Sequence, residues 1–164
     1  MSKLFDLQNK NVLLTGASKG MGLAMAQGLV NHGANVVISS RKLDQCHKAI
    51  ENINESIGQE KAFAFSCNAS SKDELNALVD FSISKLGSIT TLVCNAGVNS
   101  FFGSMSQIDD ESYDKTMDTN VKSNHWLINM VSSSMKESGG GSIMITSSIA
   151  AFHCLLYTSD AADE

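Results

Sequence analysis

The sequence predicts an α/β fold, a doubly wound parallel sheet with helices on both faces, and three observations carry that prediction. Short β-branched apolar runs alternate with longer segments whose apolar residues recur every three or four positions. The resulting order, β-α-β-α-β-α-β-α-β, calls for right-handed crossovers that cover both faces of a parallel sheet. Small, polar and glycine residues then crowd directly after each run, where open α/β sheets bind their ligands.

Asn11–Thr15 (NVLLT) reads as a buried first strand entering the glycine-rich stretch GASKGMG. Met21–Asn31 follows as a helix that ends at His32-Gly33, and Asn35–Ser40 (NVVISS) is the second strand. Leu43, Cys46, Ile50, Ile53 and Ile57 mark one face of a helix closed by Gly58. Lys61–Ser66 is the third strand. Ser71 with Glu74 forms a capping-box pattern ahead of the stripe Leu75, Leu78, Val79, Ile83 and Leu86. Thr90–Cys94 is the fourth strand and enters a tight Asn-Ala-Gly turn. Asp109–Lys136 reads as one long helix with Tyr113, Met117, Val121, Ile128, Val131 and Met135 inward, and Ser142–Thr146 is the fifth strand.

Composition bounds the function. The chain has 164 residues, 43% hydrophobic, 18% charged, with a net charge of −5. That size suits one core, and the acidic balance argues against nucleic acid or an anionic membrane as partner. No apolar run approaches the roughly 20 residues of a membrane span, and MSKLFDLQNK lacks the apolar stretch of a signal peptide. The expectation is a soluble, cytoplasmic protein. Cys46, Cys67, Cys94 and Cys154 stand 21, 27 and 60 residues apart without a CxxC pair, so free thiols are expected rather than a disulfide framework. The histidines likewise lack a ligand spacing, and no metal site is expected. Proline is absent, and the one arginine, Arg41, stands against eleven lysines.

The residues after the strands carry the chemistry. Gly16, Ser18, Lys19, Gly20, Met21 and Gly22 follow the first strand, where glycines permit close approach of a pyrophosphate and the next helix offers its N–H groups. A P-loop is excluded, because no GK[ST] occurs. Ser40 and Arg41 follow the second strand. NAD sites usually place an acid there for the ribose 2′-hydroxyl, whereas a cation grips the 2′-phosphate of NADP(H) with charge-assisted hydrogen bonds. Asn68 and Ala69 follow the third strand, suited to an adenine edge. Asn95, Ala96 and Gly97 follow the fourth, small enough for a cofactor to approach the sheet. Ser147 and Ser148 follow the fifth.

With these motifs in order (TGASKGMG, CNAG and the SS strand end), the chain from about Leu4 to Phe152 resembles the short-chain dehydrogenase/reductase family. The resemblance implies a Rossmann-type sheet truncated after its fifth strand, with Gly16, Lys19, Gly20, Met21 and Gly22 as the cofactor loop. It places Asn68 and Ala69 at the adenine and matches Asn95, Ala96 and Gly97 to the family's NAG motif. Asn120, in MDTNVKS, matches the Asn that supports a proton relay, and Ser148 matches the Ser that hydrogen-bonds the substrate carbonyl. The pattern CNAGVNSFFG with NVKSN and TSSIAAF is most similar to NADPH-dependent reducers of ketones and retinal-type carbonyls. Cys94 stands where Asn is common, and Thr91 where Asp is common.

A third departure matters more. The family's general acid is the Tyr of a YxxxK motif thirteen residues after that Ser, and here that position is Ala161. Tyr157 is nine residues on and no Lys follows it. Residues 154–164 (CLLYTSDAADE) resemble the translation of a transposase-type sequencing adapter. The expectation is therefore a partial NADP(H)-binding domain over 1–153 and a non-native tail over 154–164.

The function expected of the parent is hydride transfer between NADP(H) and a carbonyl or secondary alcohol, with this chain itself inactive. A non-catalytic NADP(H)-binding or sensing module is the alternative, and a methyltransferase is disfavoured because Arg41 replaces the acidic ribose ligand. The resemblance also implies a homodimer or homotetramer through the Asp109–Lys136 helix. Asn99, Phe101 and Phe102 are candidates for a substrate entrance, and a peroxisomal address would lie in a missing C-terminus.

Overall fold

A computed structural model describes residues 5–149; the sequence-based expectations for Phe152, Tyr157, Ala161 and the 154–164 tail lie outside them. Five strands, β1 (Asn11–Thr15), β2 (Asn35–Ser40), β3 (Ala62–Ser66), β4 (Thr91–Cys94) and β5 (Ser142–Ile145), form one sheet in the order β3-β2-β1-β4-β5. Every pairing is parallel, and central Leu13 lies between Val37 and Leu92. This is the Rossmann-like α/β architecture expected from the alternating runs.

Helices α1 (Gly20–Asn31) and α2 (Leu43–Ile57) cover one face, where Leu14, Ala26, Val36, Ile38 and Ile53 pack together. Helix α3 (Lys72–Leu86) and the long helical run after β4 cover the other, with Leu13, Val37, Leu75, Leu78, Leu92, Leu127 and Val131. The period-two alternation of β1 and β2 sends successive side chains to the two cores, so both strands are buried on both faces. Chain direction across the sheet reverses between β1 and β4, which creates the crevice where a ligand fits.

The long helix departs from expectation. It is α4 (Asp110–Met117) and α5 (Ser123–Glu137), joined by one π-helical turn over Asp118–Lys122. The Ser123 N–H donates to the Asp118 carbonyl, five residues back, and Asn124 Nδ2 takes the Asn120 carbonyl at 2.8 Å. One extra residue in a turn rotates the apolar stripe, as π-turns do. Val131 and Met135 therefore stay buried as expected, whereas Tyr113 (47% exposed), Met117 and Val121 face outward.

The capping box is also only half formed. Ser71 Oγ accepts from the Glu74 N–H at 3.3 Å, but the Glu74 carboxylate accepts from the Asn68 N–H at 2.8 Å instead of reaching back to Ser71. Among the described residues strand β5 pairs with β4 alone, and Ile143, Met144 and Ile145 on it are each close to half exposed.

Candidate functional site

At the carboxyl ends of β1–β4 the chain forms an open cavity of about 860 Å³. The first loop contributes Gly16, Ser18 and Lys19; the second contributes Ser40, Arg41 and Lys42. Asn68, Ala69 and Ser70 come from the third, and Asn95, Ala96, Gly97 and Val98 from the fourth. Ten of the thirteen sequence-proposed cofactor residues thus line one hollow. Gly20, Met21 and Gly22 open α1 behind it, and Met21 points its side chain to solvent, 70% exposed.

Glycines shape the loop by what they leave out. Gly16 has φ +67°, and a Cβ there would stand 2.7 Å from Ala96 Cα. A Cβ on Gly22 would stand 2.3 Å from the Gly16 carbonyl oxygen and 2.7 Å from Asn95 Nδ2. The first loop, the start of α1 and the Asn-Ala-Gly turn therefore touch through backbone.

Asn95 and Thr15 hold that contact. Thr15 Oγ1 accepts from the N–H groups of both Asn95 and Ala96 at 3.1 Å. Asn95 Nδ2 donates to the Gly16 carbonyl at 2.9 Å, and Thr146 Oγ1 donates to Asn95 Oδ1 at 3.2 Å. One asparagine thereby ties β1, β4 and β5 at the cavity floor. In the second loop, Ser40 Oγ accepts from the Lys42 N–H at 3.2 Å and meets Cys46 Sγ at 3.1 Å, so this hydroxyl shapes the turn that presents Arg41.

The cavity's charge is one-sided. Its charged lining is Lys19, Arg41, Lys42 and Lys115, and no Asp or Glu lines it among the described residues. Helix α1 starts at Lys19 with no side-chain cap, as α2 does at Lys42, so neither first turn has a side-chain acceptor from its cap residue. Open N–H groups at a helix start favour an anion. Glycine-lined backbone, uncapped helix starts and four cations fit a phosphate-rich dinucleotide.

Asn120 and Ser148, the sequence-proposed catalytic pair, stand outside this lining. Asn120 grips the residue after the Asn-Ala-Gly segment: its Oδ1 accepts from the Val98 N–H at 2.8 Å and its Nδ2 donates to the Val98 carbonyl at 2.7 Å. Ser148 is exposed, three residues past the end of β5. Of the proposed entrance residues, Phe102 is 69% exposed, while Ser100 between them carries the one buried side-chain oxygen without a hydrogen-bond partner among the described residues. Sequence reasoning missed Thr119 and Lys115. Thr119 Oγ1 and Ser70 Oγ are 2.7 Å apart, bridging the π-turn to the third loop. No local motif marks either residue, because the helix break that aims them is invisible in the apolar pattern.

Burial raises the thiols. Desolvation pushes Cys67 up to about 12, with the Glu74 carboxylate adding to it, and pushes Cys94 up to about 11. Cys46 is raised for the same reason, partly offset by its hydrogen bonds to Ser40. These are packing residues rather than nucleophiles. All three are free cysteines, and no His/Cys/Asp/Glu cluster suited to a metal occurs among the described residues. Nor is any described helix long and apolar enough to cross a membrane.

A second hollow of about 470 Å³, lined by Phe5, His32 and Lys61 among others, opens near the start of the strands. It has neither a glycine loop nor a cation cluster.

Comparison with known proteins gives a consistent result. The family model described as short chain dehydrogenase matches residues 10–159, six residues beyond His153. Dehydrogenase/reductase SDR family member 4 from Homo sapiens is 37% identical over 153 residues, covering 93% of this chain and 54% of that protein. The Caenorhabditis elegans protein of the same name is 35% identical over 145 residues. The chain spans about half the length of the curated relatives it matches. A short-chain type dehydrogenase/reductase from Mycobacterium marinum superposes with a TM-score of 0.85 at 30% identity, over 92% of this chain and 58% of that one. L-Sorbose reductase from Gluconobacter frateurii, solved with NADPH and L-sorbose, gives 0.85 at 27% identity, over 90% and 55%.

Proposed function

The chain belongs to the short-chain dehydrogenase/reductase family, and on that premise we propose that its parent protein is an NADP(H)-dependent oxidoreductase acting on a small carbonyl or secondary alcohol substrate. The cofactor, when bound, supplies or accepts the hydride at its nicotinamide. What this chain contributes is binding and orientation. The Gly16–Gly22 loop takes the pyrophosphate against the uncapped start of α1, and Asn68 and Ala69 take the adenine edge. Asn95, Ala96 and Gly97 give the nicotinamide half a flat, side-chain-poor floor. Ser148 orients the substrate carbonyl, and Asn120 supports the relay side of the site.

The observation that carries the NADP(H) preference is the acid-free cation set, with Arg41 at the end of β2. A carboxylate there would repel a 2′-phosphate; a guanidinium grips it with two hydrogen bonds. The test is fluorescence titration of the 164-residue chain with NADPH and NADH. The wild type binds NADPH about tenfold or more tightly, and Arg41→Asp removes that preference, a shift on the order of 1.4 kcal/mol or more. Equal loss of both cofactors in Arg41→Asp refutes the 2′-phosphate assignment.

The same proposal makes 154–164 foreign and the chain itself without turnover, supported by the adapter resemblance and by Ala161 at the Tyr position. Sequencing the native transcript across codon 153 tests it. An in-frame YxxxK supports the enzyme; a natural stop codon there supports a binding or sensing module instead. A cytoplasmic, reducing setting is supported by the three free thiols. Assembly with further copies is supported by the outward Tyr113, Met117 and Val121.

A further inference from the structure

Lys115 is the charged lining residue that the Rossmann loops do not supply. It stands on α4, while Lys19, Arg41 and Lys42 belong to the loops that follow β1 and β2. Thr119, which lines the cavity from the same helical run, bonds Ser70 at 2.7 Å, so this part of the run sits over the third loop at the adenine end. Lys115 also has acidic neighbours at helical spacing: Glu111 one turn before and Asp118 three residues on. It pairs with neither. Asp118 is taken by Lys122 at 3.0 Å, and Lys115 makes no ion pair among the described residues. A lysine that lines an acid-free cavity and pairs with neither of these acids is placed to meet an anion.

We propose that Lys115 is a fourth cationic determinant of cofactor binding, acting from the α4 wall on the phosphate-bearing adenosine end; this rests on the NADP(H) reading above. Its contribution is charge rather than a fixed fork. A lysine ammonium is a compact point charge on a flexible stem, and α4 has no buried residue to lock that stem. Two consequences follow. The contribution falls with salt, and it is larger for NADP(H) than for NAD(H), because a 2′-phosphate adds close to two negative charges near neutral pH.

The experiment titrates the 164-residue chain with NADPH and NADH at about 0.01 M and about 1 M ionic strength, where the screening length falls from about 30 to about 3 Å. Lys115→Gln weakens NADPH roughly fivefold at low salt and under roughly twofold at high salt, with a smaller loss for NADH. Lys115→Arg keeps the charge and stays within about twofold of wild type. Thermal melting confirms that each variant is folded, as expected for an exposed position. Unchanged NADPH affinity in Lys115→Gln at low salt overturns the proposal, as does Lys115→Arg weakened as much as Lys115→Gln. A chain that binds NADH as tightly as NADPH removes the underlying NADP(H) reading together with this one. An Arg41→Asp effect alongside an unaffected Lys115→Gln removes Lys115 alone.

Discussion

Asn120 uses both ends of its side-chain amide on a single residue, accepting from the Val98 N–H at 2.8 Å and donating to the Val98 carbonyl at 2.7 Å. The pairing imitates a strand ladder where no strand exists, and it holds the Asn-Ala-Gly turn against the π-turn. Gly97 sits in the crook of this clamp, with Asn120 Oδ1 3.5 Å from where its Cβ would be. Asn120→Ala leaves two half-buried backbone groups of Val98 unpaired and costs about 2–4 kcal/mol of unfolding free energy. Asn120→Asp keeps the acceptor and costs less. Urea denaturation of both variants checks the order; equal losses would mean that the bond from the Val98 N–H contributes nothing.

Two glycines of α1 are expected to respond oppositely to alanine. Gly22→Ala forces a methyl against the Gly16 carbonyl and destabilises by about 3 kcal/mol, with loss of NADPH binding. Gly28 is helical with nothing within 4 Å of its would-be Cβ. Gly28→Ala there stabilises by about 0.5–1 kcal/mol. Paired thermal melts decide it.

The buried thiols tie stability to alkaline pH. Cys67 and Cys94 hold their protons more tightly folded, at about 12 and about 11, than unfolded, at about 8.5. The stability this represents is fully present below the unfolded value. It is lost as pH rises from near 9 toward 11, by up to about 1.4 kcal/mol per pH unit per thiol. The double variant Cys67→Ala/Cys94→Ala should flatten the decline between pH 8 and 10, whatever it does to stability at pH 7. An alkylating probe at pH 8 should label Cys46, Cys67 and Cys94 only after denaturant is added.

Thr119 joins the third loop to the π-turn through Ser70. Thr119→Val removes the hydroxyl with little change of volume. It is expected to cost about 1 kcal/mol of stability and to loosen the loop that presents Asn68 and Ala69. Thr119→Ser restores the bond. Hydrogen exchange of residues 67–71 provides the readout, and unaltered protection in Thr119→Val would show the bridge to be idle.

How much of this was legible in the sequence depends on whether a feature is local. The five strands announce themselves because β1, β2 and β4 are buried on both faces and so read as unbroken apolar runs, such as NVLLT and TLVC. Ten proposed cofactor residues meet in one cavity because strand ends in a parallel sheet share an edge. The π-turn is illegible: around it Ser123 Oγ and Asn124 Nδ2 donate to the Thr119 and Asn120 carbonyls, and a pattern of apolar steps carries no trace of that. For the same reason the apolar steps point Tyr113, Met117 and Val121 inward, where the structure exposes them. Glu74 misled similarly, since its capping-box spacing is satisfied while its carboxylate goes to Asn68, whose position depends on the whole loop.

The central place of β1 sets the order in which the chain can be assembled. Its two neighbours emerge at very different times: β2 begins 24 residues after Asn11, but the contact of Asn11 with Thr90, the residue before β4, spans 79. On a ribosome adding about 5–20 residues per second, β1 can pair with β2, and β2 with β3, seconds before β4 emerges. Until then its β4-facing edge and the lower half of the cavity floor are bare. The nascent chain therefore passes through a three-stranded stage whose completion waits on a non-local pairing, the slow kind of step in folding. The binding cavity, whose floor Asn95 knits to Gly16, exists only after that step.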